Sequence, residues 1–535
     1  EYSKTSFKIT IFLLLISTIT LILLFINILI PRIIGFLLLY SIIFLSLWQG
    51  SKIQYDKIDY ITKQSMYNFI TYGNHGDLKS KFVDTSSYYS GNSGLAAWYD
   101  KQLQIDKTKI PLNGRVYYPQ KKGTYPLILV VHGNHLLEER SDLGYDYLLK
   151  NFAANNFVAI SIDENFFNGN WTTLGQGMPY ENDARGLLLI EHLKFLKEEN
   201  SNINSPLYNL MDFENIGLTG HSRGGEAISI AASKNREFKI KGIFAIAPTD
   251  RQYRENIYLK DISFMAIHGA NDGDLTEFYG RSQFNRTSFS GNSFNFKIST
   301  YIEGVNHAQF NSDWGVVDST SLGKIFKGKN NNIRPIDQQN IAKVLSLSFF
   351  ESCLKNDLSQ IPKLQNPAKY FNSIPKIHYI VDYIDSNYID LYLYPSNELI
   401  TYDNMSYNIE NHRYKTMISV EWDSQSSMIL NNHLSEYTGD EISISLANKG
   451  FDTINFQLKL YLNNIEVDSF NRILLPGIKK NIFKFNILNK KNIIEPNFQS
   501  FKFQYTKWDK MELIFFNKGS ILIDNISLTS SQKTE

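Results

Sequence analysis

Ser222 stands in a pattern that predicts a nucleophile. It lies in the stretch IGLTGHSRGGEA, where Gly220 to Gly224 read Gly-x-Ser-x-Gly. The pattern follows an apolar run typical of a buried strand and precedes a run typical of a helix, which is the context that a nucleophile elbow requires. At such a sharp turn the serine takes a strained backbone conformation, and flanking glycines let strand and helix approach closely. We therefore expect Ser222 to be presented at the N terminus of a helix.

A serine hydroxyl is a weak nucleophile, so Ser222 needs a base to accept its proton and an acid to orient that base. His307 follows a predicted strand in FKISTYIEGVNHAQF, and Asp272 follows another in ISFMAIHGANDGD. The chain order serine, aspartate, histidine is one of the known orders of this triad. Asp274 and Asp250 also follow predicted strands and remain alternative acids.

Two backbone amides are candidates for binding the negative charge that develops on the attacked carbonyl oxygen. One belongs to Arg223, directly after the nucleophile, and the other to Asn134, after the turn that ends YPLILVVHGNH. No HExxH or paired-ligand spacing occurs nearby, so we expect neither a metal nor another cofactor. Structural roles are expected for the other histidines near these turns, which are His132, His135, His221 and His268.

Alternating strand and helix patterns surround these residues and must position them. Short apolar runs such as FVAISIDEN and IKGIFAIAP alternate with amphipathic stretches such as ENDARGLLLIEHLKFLKEEN. This alternation is typical of a mainly parallel sheet covered by helices. We predict such an α/β domain over residues 111–360, closed by the helical stretch DQQNIAKVLSLSFFESCLKN. The insertion 166–180 is predicted to line the cleft beside Ser222.

The chain changes character toward its C terminus. Short alternating segments, from IHYIVDYI to SILIDNISL, are separated by turn residues and predict a separate all-β jelly-roll sandwich over residues 375–530. Trp422 and Trp508 could stack on a sugar, but core packing is the commoner fate of a strand tryptophan. We expect both in the core.

Two apolar runs near the N terminus predict membrane anchoring. The run 7–30 is long enough for the roughly 20 helical residues that cross a bilayer, and the run 33–48 is shorter. We predict a transmembrane helical hairpin over residues 1–49 and a connecting arm over residues 50–110, with a cleavable signal peptide as the alternative. Lysines flank the pair while Arg32 lies between, which places both ends in the cytoplasm unless a further helix precedes them. The side that carries the catalytic domain stays open.

Composition excludes some classes of protein. The formal net charge is +1 and charged residues make up 20%, so nothing indicates a nucleic-acid partner. The chain has a single cysteine, Cys353, in an apolar run, which rules out an intrachain disulfide and favours a buried, unreactive thiol.

Residues 112–355 resemble the α/β-hydrolase superfamily. The stretches GHSRGG and VVHGN are similar to those of platelet-activating-factor acetylhydrolases, chlorophyllases, dienelactone hydrolases and cutinase-like polyester hydrolases. SIDENFFNGNW and ENDARG also resemble segments of large bacterial membrane-linked hydrolases with no settled substrate. The resemblance implies serine esterase chemistry, in which Ser222 attacks an acyl carbonyl, His307 relays the proton and Asp272 orients His307.

The C-terminal segment is more loosely similar to carbohydrate-binding or galactose-binding-like jelly rolls, through HLSEYTGDEISISLAN, TKWDKMELIFF and GSILIDNISL. Glycan binding and a ligand-free, architectural sandwich are both open. The leading hypothesis is a membrane-anchored serine hydrolase of a carboxylic ester, with an acyl lipid or other hydrophobic ester favoured. The alternatives are a catalytically silent glycan- or partner-binding protein on a hydrolase scaffold, and an amide or peptide hydrolase.

Overall fold

The structure is a computed structural model that describes residues 34–37, 39, 67–73, 78, 82–84, 109–135, 139–168, 181–250, 257–275, 277–316, 318, 332–387, 389–390, 400–412, 415–431, 441–477, 498–505 and 507–529. The predicted membrane run 7–30, about two thirds of the run 33–48 and most of the arm lie outside these residues. Within the described part of the chain, we find no helix with the length and apolar character needed to span a bilayer.

A large mixed sheet contains the strands that precede the predicted active-site turns. The first strands of the described chain are β1 (Tyr67–Tyr72), β2 (Phe82–Asp84), β3 (Lys109–Pro111), β4 (Gly114–Pro119), β5 (Tyr125–Val131), β6 (Val158–Ile162), β7 (Met211–His221), β8 (Ile240–Ile246), β9 (Ser263–Gly269), β10 (Phe296–Ile302) and β11 (Tyr379–Asp385). Nine of them form one sheet in the order β1-β4-β6-β5-β7-β8-β9-β10-β11, and β2 pairs with β3. The strands from β5 to β10 run parallel, whereas β1, β4 and β11 are antiparallel to their neighbours.

Helices cover both faces of this sheet. The α-helices in the described part of the chain are α1 (Asp146–Ala154), α2 (Glu181–Ser201), α3 (Arg223–Lys234), α4 (Tyr279–Arg286), α5 (Pro335–Leu354), α6 (Ile361–Gln365) and α7 (Pro367–Tyr370). Successive side chains of β5 enter two separate cores, one shared with α2 and α3 and the other with α1 and α5. A strand buried on both faces has no polar side to show, which explains the continuous apolar run LILVV. The predicted mainly parallel sheet with covering helices is confirmed.

The sheet is wider than the sequence indicated. β1 lies within residues 50–110, which we described as a connecting arm, yet it pairs along its whole length with β4. The stretch IHYIVDYI, which we assigned to the sandwich, instead forms β11 and pairs with β10 from Tyr379 to Asp385. Both are added at sheet edges by antiparallel pairing, which needs no crossover helix and so leaves no strand-helix alternation to read.

Two further antiparallel sheets follow. Their strands are β12 (Ile389–Asp390), β13 (Ile400–Asp403), β14 (Ser406–His412), β15 (Lys415–Trp422), β16 (Ser426–Asn431), β17 (Glu441–Asn448), β18 (Ile454–Leu462), β19 (Ile465–Leu474), β20 (Gln499–Gln504), β21 (Lys510–Phe515) and β22 (Gly519–Thr529). One sheet has the order β14-β15-β22-β17-β20, with β12 beside β22, and the other has the order β13-β16-β21-β18-β19.

A single apolar core lies between these two sheets. It takes side chains from β15, β17 and β22 of one sheet and from β16, β18 and β21 of the other, which is the packing of a sandwich. Trp422 and Trp508 belong to this core, where we expected them. The indole N–H of Trp422 donates to the carbonyl oxygen of Asn517 at 2.5 Å.

A buried ion cluster joins the sandwich to the large sheet. Arg281 of α4 donates to Asp382 of β11, and its other terminal nitrogen donates to Asp524 of β22 at 3.1 Å. Both aspartate side chains are 1% exposed. The guanidinium also lies 4.4 Å from the ring centre of Phe284 and 4.8 Å from that of Phe498. The ion cluster of Arg281, Asp382 and Asp524 therefore connects helix α4, the edge strand β11 and the sandwich.

Candidate active site

Ser222 occupies the turn between β7 and α3 in a strained backbone conformation. Its φ is 57° and its ψ is −122°, a combination that costs an L-residue about 1–3 kcal/mol. The surrounding backbone holds it there: the amide of Ser222 donates to Ile246 at 2.9 Å, and its carbonyl accepts from Gly225 at 2.9 Å and Thr249 at 3.1 Å. A methyl group on Gly220 would overlap the carbonyl of Gly224 on α3. The sequence folds into this turn because glycine is the residue that fits there.

His307 lies in the turn after β10 and is hydrogen-bonded to Asp272 in the turn after β9. The distance between His307 Nδ1 and Asp272 Oδ2 is 2.8 Å, and both side chains are buried. A carboxylate can only accept, so Nδ1 carries the proton and a neutral His307 has its lone pair on Nε2. Asp272 is itself fixed, because its Oδ1 accepts the amides of Asp274 at 3.0 Å and Leu275 at 2.7 Å.

The Nε2 atom of His307 is buried and makes no hydrogen bond to any described residue. The nearest charge to it is on Asp274, whose Oδ2 lies 3.5 Å away. Burial lowers the pKa of His307, but the charge and hydrogen bond of Asp272 and the charges of Asp274 and Asp318 outweigh it and raise that pKa to about 9. The ring is therefore a strong base, and its Nε2 can accept a proton whenever the ring is neutral.

The three aspartates proposed as acids have different partners. Asp272 bonds to the ring of His307, whereas Asp274 is 59% exposed and faces Nε2 without bonding to Nδ1. Asp250 lies elsewhere, in a two-bond ion pair with Arg286 of α4 at 2.5 and 2.9 Å. This geometry favours Asp272 as the residue that orients His307.

The turn after β5 packs closely against Ser222. A Cβ added to Gly133 would lie 2.7 Å from Ser222 Cβ and 2.9 Å from the carbonyl oxygen of His221, so a side chain there is excluded. Asn134 is the next residue, and Arg223 begins α3, where the first amides have no partner within the helix. The two amides predicted to bind an oxyanion thus belong to segments that meet at Ser222.

The ring of His132 fixes the peptide group between Gly133 and Asn134. Its Nε2 accepts the amide of Glu164 at 2.8 Å, so Nδ1 must carry the proton that is donated to the carbonyl of Gly133 at 2.7 Å. In a trans peptide the C=O and N–H point in opposite directions, so fixing the carbonyl also fixes the amide of Asn134. Burial and the nearby Arg185 lower the pKa of His132 to about 3, which keeps this tautomer neutral.

Aromatic rings form one wall of the site. The ring of His221 lies 4.6 Å from that of His307, centre to centre, and Trp314 lies 4.9 Å from His221. His135 stacks on Trp314 at 5.0 Å. His221 has its own partner, since its Nδ1 lies 2.7 Å from the hydroxyl of Tyr145, and burial lowers its pKa well below the usual value. His132, His135 and His221 therefore have structural contacts, while His268 Nε2 lies 3.6 Å from Asp272 Oδ2.

Two residues close to the site were missed in the sequence. Trp314 follows His307 on the same loop and donates its indole N–H to Ser141 Oγ at 3.0 Å. Asp318 accepts backbone amides from both the turn of Asp272 and the turn of His307. Neither lies in a periodic pattern, and an aspartate that binds backbone amides leaves no spacing signal.

Other predicted features of the site lie partly outside the described residues. The insertion 166–180 is described only as far as Asn168, whose side chain accepts from the buried Arg185 at 2.6 Å. Within the described residues, no group of three or more His, Cys, Asp or Glu side chains could hold a metal ion. A cleft of about 900 Å³ lies at the other end of the sheet, near the amino ends of β8, β9 and β10, and Cys353 is among its lining residues.

Comparison with known families adds a reaction class. Residues 105–272 match the PETase family model, described as PET hydrolase-like. The match covers less than half of the chain and includes Asn134, Ser222, Arg223 and Asp272, whereas His307 lies beyond it. A search of the curated proteins found no match to the chain.

Proposed function

We propose that this serine esterase-like enzyme is membrane-anchored and cleaves a carboxylic ester through an acyl-enzyme, with Ser222 as nucleophile, His307 as base and Asp272 as the orienting acid. The observation that carries the proposal is the elbow at Ser222, whose neighbour His221 has its ring 4.6 Å from that of His307, together with the buried aspartate that holds Nδ1 of His307. The match to the PET hydrolase-like family supports the ester class.

The proposed reaction has two attacks. Ser222 Oγ bonds to the acyl carbon while its proton passes to His307 Nε2, and the carbonyl electron pair moves onto oxygen. Collapse of this intermediate expels the alcohol, which takes the proton from Nε2. Water, deprotonated by the same nitrogen, then attacks the acyl-enzyme and releases the carboxylic acid and Ser222. Asp272 keeps the imidazole in the tautomer that each proton transfer needs.

The amides of Arg223 and Asn134 are proposed to donate to the oxygen that becomes negative. A donor of this kind is worth about 10²- to 10³-fold in rate because it is already oriented before the charge develops. The bond from His132 to the carbonyl of Gly133 supports this assignment for Asn134, since it prevents the peptide from turning.

The preference for an acyl lipid or another hydrophobic ester rests on the apolar run 7–30, which would hold the catalytic domain near a bilayer. The C-terminal sandwich is proposed to be architectural, or to bind a glycan through a surface other than its core tryptophans. Protease accessibility of residues 50–110 in intact cells tests which side of the membrane carries the catalytic domain.

A panel of chromogenic substrates tests the function. Purified protein should hydrolyse nitrophenyl esters and leave peptide nitroanilides almost untouched, and kcat/KM should rise from acetate to longer acyl chains. Faster cleavage of the anilides would indicate an amide hydrolase instead. Inertness toward every substrate would favour the silent binding protein.

Ester hydrolysis should also depend on pH through His307. The imidazole accepts the proton of Ser222 only when Nε2 is free, and its pKa is raised from 6.5 to about 9. Below that value kcat/KM should therefore rise with pH by about tenfold per unit, because the neutral fraction rises by that factor. Changing Asp274 to asparagine removes a charge 3.5 Å from Nε2 and should move the rising limb to lower pH.

The pH profile is measured with an uncharged nitrophenyl ester, so that only the enzyme titrates. Asp337→Asn is the matched control, because Asp337 pairs with Arg334 at the surface and should leave the profile unchanged. A rising limb centred at or below pH 6.5 would contradict the role given to the carboxylates around His307.

A further inference from the structure

We propose that Asp318 is a positioning residue that joins the turn carrying the catalytic acid to the turn carrying the catalytic base, and this rests on the proposed function. Its carboxylate makes three hydrogen bonds. Oδ2 accepts the amide of Gly273 at 2.7 Å and the amide of His307 at 2.9 Å, and Oδ1 accepts the amide of Ala308 at 2.8 Å. One side chain thus binds both turns.

These contacts lie next to Asp272 and His307, whose side chains must keep their relative positions. Gly273 follows Asp272 directly, and His307 is held through its own amide. Between the same two turns the backbone also has the bond from the amide of Asn271 to the carbonyl of Val305, at 2.9 Å. Asp318 is therefore placed to fix the separation on which the 2.8 Å bond between Asp272 and His307 depends.

Asp318 does not compete with Asp272 for the imidazole. Its three bonds are all to backbone amides, and Nδ1 of His307 is already bound to Asp272. Its charge still acts on the ring, because it is one of the carboxylates that raise the pKa of His307. Burial and the neighbouring Asp272 raise the pKa of Asp318 itself to about 6, so at neutral pH it carries the charge that accepts these amides.

The groups that face His307 come from the turns and strands packed around it. Asp272 and Asp274 come from the turn after β9, with His268 at the end of that strand. Trp314 stacks on the His307 ring at 6.4 Å, and the ring of His221 lies tilted against it at 4.6 Å. Burial keeps His221 neutral, so the charges that set the affinity of His307 for a proton are those of Asp272, Asp274 and Asp318. Removing Asp318 should change both geometry and charge at the base.

The test compares Asp318→Ala and Asp318→Asn with the wild type. The alanine variant should lose about 10- to 100-fold in kcat with little change in KM, because a displaced base impairs proton transfer more than substrate binding. The asparagine variant keeps one acceptor oxygen, but it loses the charge and sets its NH2 group against a backbone N–H, so it should also lose kcat. Both variants should shift the rising limb of the pH profile to lower pH, which a purely structural residue would not do.

A second readout separates this proposal from the proposed function. The hydrogen-bonded Nδ1 proton of His307 should give a low-field proton resonance in the wild type that weakens or disappears in Asp318→Ala. Loss of that resonance in a protein that hydrolyses no ester would support the positioning role while overturning the esterase. An unchanged resonance, kcat and pH limb in the variants would overturn the role of Asp318. Asp337→Ala is the control for a nearby carboxylate and should change none of the three.

Discussion

Replacing Ser222 with alanine should reduce kcat for a nitrophenyl ester on the order of 10⁴- to 10⁶-fold, the loss found when the nucleophile of a serine triad is removed. This loss is expected because the substitution removes only the reacting hydroxyl. The elbow, the bond from His307 to Asp272 and the turn at Gly133 all stay in place, but no atom remains to form the acyl-enzyme. Alanine also has to adopt the φ of 57°, so the variant is compared with wild type by thermal unfolding before its activity is judged.

A fluorophosphonate probe provides the matching measurement, because it bonds covalently to an activated serine. Wild-type protein should be labelled at Ser222 and the alanine variant should not. Ser233→Ala, on the same helix but part-exposed, should be labelled like the wild type. Labelling of Ser222→Ala at the wild-type rate would place the nucleophile elsewhere in the chain.

Replacing Arg281 with leucine should destabilise the folded protein by about 3–5 kcal/mol, the usual cost of leaving buried charges without their partner. Asp382 and Asp524 are each 1% exposed and both bond to this guanidinium. Leucine fills part of the space between Phe284 and Phe498 but leaves two carboxylates close together. The free energy of unfolding is measured by urea titration.

Two comparisons sharpen the test on Arg281. Adding Asp382→Asn and Asp524→Asn to the leucine variant should recover part of the lost stability, because the orphaned charges are gone. Arg334→Gln is the matched control, since Arg334 binds a single carboxylate, Asp337, at the surface and should leave the unfolding curve unchanged. An Arg281→Leu protein that unfolds at the wild-type urea concentration would show that the ion cluster is not needed for stability.

The parallel part of the sheet could be predicted because each strand has a local signal. A parallel strand buried on both faces is a short apolar run, and the helix that must follow it is amphipathic. The edge strands β1 and β11 lack this signal. In β11 the sequence YIVDYID places Asp382 and Asp385 among apolar residues. Asp382 is buried against Arg281, which is 101 residues away in the chain, and against the sandwich, so no local pattern explains it.

In the candidate active site too, some residues have a local sequence signal and others do not. Ser222, Asp272 and His307 follow strands whose carboxyl ends meet at one edge of the sheet, so strand order and residue type were enough to nominate them. Asp318 and Trp314 act through contacts to backbone amides and rings that no spacing rule encodes. The tautomer of His132 could not be predicted from the sequence either, because it depends on the amide of Glu164, which is 32 residues away.

The width of the large sheet sets the distance between its two edge strands, β1 and β11. The chain enters at the edge strand β1 and leaves for the sandwich from the opposite edge strand β11. Nine strands at the usual spacing hold these edges about 40 Å apart. Ser222 follows β7, the fifth strand of the nine, so it lies about 20 Å from either edge of the sheet. The sandwich, which follows β11 in the chain, therefore begins well to one side of the turn that carries Ser222.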